Sequence, residues 1–133
     1  MNRFYSSADE VIAYTGIRPE NLRQESETEL RALLETWLVQ ISDLINADRG
    51  KTYWPEVPPG IHNIATRICA NMVSLMQHRA QSPIVRVDDF TVRMVSDEIF
   101  TPAIRRDLMR YPHRSRFSMI RVGGVKDGLE LTE

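Results

Sequence analysis

Six arginines, Arg105, Arg106, Arg110, Arg114, Arg116 and Arg121, fall within residues 101–122 against a single acidic residue, Asp107. Guanidinium groups are planar, permanently charged forks that suit carboxylates and phosphates. The chemistry this segment offers is therefore recognition of an acidic surface or of a nucleic-acid backbone. Residues 1–50 carry the opposite bias, with five basic and nine acidic side chains, although the whole chain has a formal net charge of only −1. Such asymmetry predicts two ends that meet different partners, or copies that pack acidic face to basic face. Other reactive side chains offer less. Cys69 lies inside an apolar helical pattern and reads as a buried thiol, because nothing near it in sequence would lower its pKa. His62 and His78 are sixteen residues apart and cannot share a metal within one helix. There is no cysteine pair, no His-Glu-x-x-His, no calcium loop and no glycine-rich phosphate loop after a strand. The acidic pairs Asp88-Asp89 and Asp97-Glu98 read as turns and caps. No catalytic role, metal or cofactor is expected, and the chain reads as a binding protein rather than an enzyme.

These side chains must be positioned by a mainly helical fold. Ser7-Ala-Asp-Glu10 is a capping-box pattern opening a short helix that Gly16 and Pro19 close. A second box, Ser26-Glu-Thr-Glu29, opens the longest element. There Leu30, Leu33, Leu34, Trp37, Leu38, Ile41, Leu44 and Ile45 recur every three or four residues on one face, and Gly50 ends it. Arg31, Glu35, Gln40 and Asp43 occupy the other face. Residues 51–60 form a connector in which Pro55, Pro58 and Pro59 prevent regular structure, while Tyr53 and Trp54 fold back onto the helices. A third helix runs from near Pro59 to about Arg79, with Ile61, Ile64, Ala65, Ile68, Met72, Leu75 and Met76 on its apolar side. Thr101 and Pro102 announce a short fourth helix over about 102–111.

Between these last two helices lies a β-rich run from Pro83. Val85 and Val87 share one parity, whereas Phe90, Val92 and Met94 share the other. Side chains alternate across a sheet, so the phase slips at Asp88-Asp89 and implies a bulged strand or a hairpin. Residues 113–122 alternate apolar and polar and read as an extended arm. Overall the pattern predicts a small helical bundle of two long and two short helices, with a β-hairpin or bulged strand and this C-terminal arm. One domain covers 1–124, and 125–133 is a frayed acidic tail. The lone cysteine fits a reducing compartment. With no apolar run near the roughly 20 residues a membrane span needs, the expectation is a soluble, unexported protein.

This order of elements resembles the head–tail connector (adaptor) proteins of tailed double-stranded-DNA bacteriophages and prophages, over roughly residues 7–122. The segment Val87-Asp-Asp-Phe-Thr-Val92 is similar to the family's strand of the type apolar-Gly-Asp-aromatic-Ser/Thr-apolar, with Asp88 standing where glycine is often seen. A terminal helix ending in a leucine and a tyrosine follows, as Leu108 and Tyr111 do here, and Ser7–Tyr14 is similar to the family's opening segment. The resemblance implies a structural subunit of the virion neck, assembled in the host cytoplasm. Copies would form a ring, expected to be twelvefold, on the portal protein. That ring would extend the channel through which packaged DNA passes without sequence-specific contact, and would dock the next neck or tail-completion protein. Arg105, Arg106, Arg110, Arg114, Arg116, Phe117, Met119, Ile120 and Arg121 are the expected partner-binding residues, with Phe117, Met119 and Ile120 as apolar anchors of an arm reaching the portal.

Two other readings fit the same residues. A small nucleic-acid-binding regulator would use the basic 105–121 segment against phosphates, although no helix-turn-helix spacing stands out. Another phage neck or tail-completion component would share the helical design.

Overall fold

A computed structural model describes residues 4–111. The described residues form five α-helices: α1 (Ala8–Thr15), α2 (Glu27–Arg49), α3 (Pro59–Arg79), α4 (Ser96–Ile99) and α5 (Pro102–Leu108). The sequence sets the helix starts directly. Ser7 Oγ accepts from the Glu10 N–H at 3.2 Å, Ser26 Oγ from Glu29 at 3.2 Å, and Thr101 Oγ1 from Ile104 at 3.3 Å. Each satisfies one of the donors that a helix N-terminus leaves unpaired. In the second box the return bond reaches one residue further than expected, because Glu29 Oε1 accepts from Glu25 N. Gly16 (φ 70°) and Gly50 (φ 66°) take the left-handed conformation that closes α1 and α2.

The long helices α2 and α3 form the antiparallel spine. Leu30, Leu34, Trp37, Leu38, Ile41 and Ile45 on α2 and Ile61, Ile64, Ile68, Met72 and Met76 on α3 are all buried. Burying each such side chain contributes about 1.5–3 kcal/mol of transfer free energy, against which stands the entropy of ordering it. Helix α1 packs on both long helices. Ahead of it, residues 4–6 are held in a polar seam. Tyr5 N–H donates to Ser42 Oγ (3.0 Å), Tyr5 Oη donates to Asn46 Oδ1 (2.5 Å), and His62 Nδ1 donates to the Tyr5 carbonyl (2.9 Å). The hydroxyls of Ser6 and Thr66 meet at 2.6 Å, so the buried polar groups of this seam pair with one another.

The β-hairpin or bulged strand expected over 83–95 does not form, and no strand occurs among the described residues. The segment instead folds as a 3-10 turn at Val87–Asp89, another at Arg93–Val95, and then α4. Val87, Val92, Val95 and Ile99 are buried at turn-like intervals, which accounts for the parity slip. A lone strand needs partners for its backbone. Here α2 side chains serve that need: Gln40 Oε1 accepts from the Val92 N–H at 2.7 Å, and Trp37 Nε1 donates to the Phe90 carbonyl at 3.3 Å. Residues 90–111 then run back along α3. The Ile99 carbonyl meets Asn71 (2.9 Å), Asp107 meets Arg67 (2.6 Å), and Tyr111 lies over Gly60. The fourth predicted helix stops at Leu108 rather than continuing to 111. The expected arm (113–122) and acidic tail (125–133) lie outside the described residues.

Candidate partner-binding site

The basic pole is built where α5 meets the C-terminal end of α2. Three of the arginines singled out by sequence stand here, and they are not equivalent. Arg105 is engaged within the fold: its guanidinium stacks 4.1 Å from the Phe100 ring centre and sits 3.6 Å from Asp48 Oδ1. Arg106 and Arg110 are exposed on either side of Asp107. Asp107 itself is held by Arg67. That hydrogen bond, together with the charges of Arg67, Arg110 and Arg106, keeps the Asp107 carboxyl below its ordinary pKa of 3.8. Arg114, Arg116, Phe117, Met119, Ile120 and Arg121 lie outside the described residues.

Sequence reasoning missed the residue that fixes this pole. Arg49, the last residue of α2, donates from Nη1 to the carbonyls of Tyr111 (3.0 Å) and Leu108 (3.4 Å). A guanidinium at this point meets the negative end of the α5 dipole as well as that of α2. It thereby holds the last turn of the described chain against the end of α2. Arg23 performs the same service for α3, donating to the Ala80 carbonyl at 2.8 Å, and Asn71 for α4 through the Ile99 carbonyl. A basic residue near a helix C-terminus was a legible signal for α2. The long-range partners carry no local signal at all.

The opposite end of α2 is acidic. Glu25, Glu27 and Glu29 are exposed there, and Gln24 bonds Asp88 at 3.1 Å, bringing Asp88-Asp89 to the same end. At about 1.5 Å per residue, the 23 residues of α2 separate the two poles by roughly 35 Å.

Along the C-terminal half of α2 runs an open groove of about 500 Å³, lined by Gln40, Asp43, Leu44 and Ala47 on one side and by Thr91, Val92, Arg93 and Ser96 on the other. Glu35 and Val39 continue the α2 lip at i−8 and i−4 from Asp43. Val39 (37% exposed) and Met94 (63%) leave apolar surface beside it.

The remaining reactive groups are as the sequence implies or are engaged elsewhere. Cys69 is wholly enclosed, and burial pushes its thiol pKa far upward. His62 is bonded to Tyr5 and faces Glu10 at 3.8 Å, whereas His78 is exposed. Among the described residues no three His, Cys, Asp or Glu side chains cluster as a metal site would require. No described helix is long and apolar enough to cross a membrane. No family model, curated protein or solved structure matches the chain.

Proposed function

We propose that this chain is a structural subunit that acts by assembly: a head–tail connector that forms a ring on a phage portal, extends its DNA channel and docks the next neck component. The observation that carries the reading is the separation of charge along α2, with exposed Glu25, Glu27 and Glu29 at one end and exposed Arg106 and Arg110 at the other. Ring subunits contact one another through two different surfaces of each chain, and opposed charges orient such a contact. The helical order that the sequence shares with the connector family adds support. The 87–92 segment does not, because it is a turn here and a strand is what the resemblance implies.

The portal would meet the basic pole, where Arg106 and Arg110 are available and the sequence continues into Arg114, Arg116 and Arg121. The twelvefold symmetry of the ring, its place in the virion and its downstream partner belong to the same proposal. The test mixes the purified chain with purified phage portal rings and follows co-sedimentation and particle images. Ring-shaped density on the portal is the expected result, and Arg106→Glu with Arg110→Glu should abolish it without unfolding the chain. A chain that ignores the portal yet shifts duplex DNA in a salt-dependent way would overturn the connector in favour of a nucleic-acid-binding role. A chain that assembles on an isolated tail but not on the portal would identify a different neck component.

A further inference from the structure

Two carboxylates, Asp48 and Asp107, stand within the basic pole, and a guanidinium from another helix takes up each of them. Asp48 Oδ1 lies 3.6 Å from Arg105 Nη1, and Arg67 of α3 donates from Nη1 to Asp107 Oδ2 at 2.6 Å. Arg106 and Arg110 are exposed and, among the described residues, pair with no carboxylate. Yet Asp107 stands beside both. Arg106 immediately precedes it, and Arg110 follows three residues on, a spacing at which side chains of one helical turn meet. Both charges already bear on the Asp107 carboxyl. What keeps Asp107 from Arg110 is the competing partner on α3. That pair is part-buried, with side chains 29% and 34% exposed, and a charge-assisted bond so placed is screened less than one in open water.

We propose that Arg67 is a positioning residue for the partner-binding pole: by holding Asp107 toward α3 it leaves Arg106 and Arg110 open to an acidic protein surface. Arg67 lies 40 positions from Asp107 and outside the arginine cluster of 101–122, and it acts through that carboxylate rather than on the partner. Without it, Asp107 turns to Arg110, and the pole offers one guanidinium where it offered two. The inference rests on the reading of this pole as a protein-binding surface and names what sets its free charge.

The test measures binding of fluorescein-labelled polyglutamate to the full-length chain by anisotropy, in a cycle of the parent, Arg67→Gln, Asp107→Asn and the double variant. Arg67→Gln is expected to weaken binding about fivefold. Asp107→Asn should change little while Arg67 is present and should restore binding in the Arg67→Gln chain. Residues 112–133 are common to all four proteins and cancel in the comparison. If removal of the carboxylate has the same effect in both backgrounds, only net charge counts and the proposal is overturned. A parent chain that does not bind polyglutamate would overturn it too. A second measurement exchanges the charges, Arg67→Asp with Asp107→Arg, which keeps the ion pair and with it the packing of α5 on α3. That variant should bind as the parent does, and a clear gain or loss would show that the pair does not govern the pole. Portal rings enter neither measurement. Loss of portal association with the cycle intact would therefore remove the connector reading alone, and an additive cycle with portal association intact would remove only the role of Arg67.

Discussion

The ring of Tyr111 stands edge-on to that of Tyr53, with centroids 6.2 Å apart and planes at 80°. Tyr53 is in turn edge-on to Tyr5 at 6.1 Å, and its backbone N–H donates to the Tyr5 hydroxyl at 2.8 Å. The connector between the two long helices thus holds the segment that enters the bundle and the segment that leaves it. Edge-to-face pairs of this kind contribute about 0.5–1.5 kcal/mol beyond the area they bury.

Gly60 makes the Tyr111 contact possible. A Cβ at this position would lie 1.5 Å from the Tyr111 hydroxyl oxygen and 2.6 Å from Cζ. Gly60→Ala is expected to displace the ring and to destabilise the protein by about 1–3 kcal/mol. In a Tyr111→Ala background the same substitution should be neutral or stabilising, since alanine is the better helix former by about 0.8–1 kcal/mol. Urea unfolding of the four proteins in this cycle gives the coupling directly, and a coupling near zero would contradict the contact.

The ion pair between Arg67 and Asp107 predicts a defined acid dependence. The folded-state pKa of Asp107 is depressed by the Arg67 hydrogen bond and by nearby guanidinium charges. Its contribution is therefore fully present above the unfolded carboxylate value of about 3.9 and is lost as pH falls through the lower folded value. Asp107→Asn should be less stable than the parent at neutral pH, and the gap should close in acid. Parallel curves of urea midpoint against pH would rule this out.

Two adjacent residues of α2 should respond very unequally to truncation. Leu38 is fully buried and Val39 is 37% exposed. Leu38→Ala is expected to cost about 2–5 kcal/mol through lost transfer energy and the cavity it leaves. Val39→Ala should stay within about 0.5 kcal/mol. Thermal or chemical denaturation distinguishes the two.

Cys69 should be chemically silent in the folded chain. It is completely enclosed, and burial raises its thiol pKa, so the reactive thiolate is suppressed as well as shielded. A colourimetric thiol reagent should find no reactive group in native protein and one per chain in denaturant. Rapid reaction under native conditions would show that α3 packs differently.

Helix positions were legible because their signals are local. Ser7, Ser26 and Thr101 mark starts, Gly16 and Gly50 mark ends, and the three- and four-residue spacing along α2 and α3 identifies the buried face. The 83–95 segment was misread because valine-rich composition favours strands only where a partner strand exists. What decides its form is Gln40 and Trp37, about fifty residues earlier, bonding to its backbone. Of the candidate site, the arginine cluster was visible, but the division of labour within it was not. Arg105 is distinguished from Arg106 by Phe100 and Asp48, and the second of these is close only after folding.

The closures at the ends of α3, α4 and α5 bear on how the molecule acquires order. Ala80 relies on Arg23, Ile99 on Asn71 and Tyr111 on Arg49, at separations of 57, 28 and 62 positions. A peptide comprising only residues 80–111 would lack every one of these donors, and its two short helices fall below the length at which helices persist alone in water. The terminal third of the described chain thus owes its regular form to the first two-thirds, and should not keep it when cut away from them.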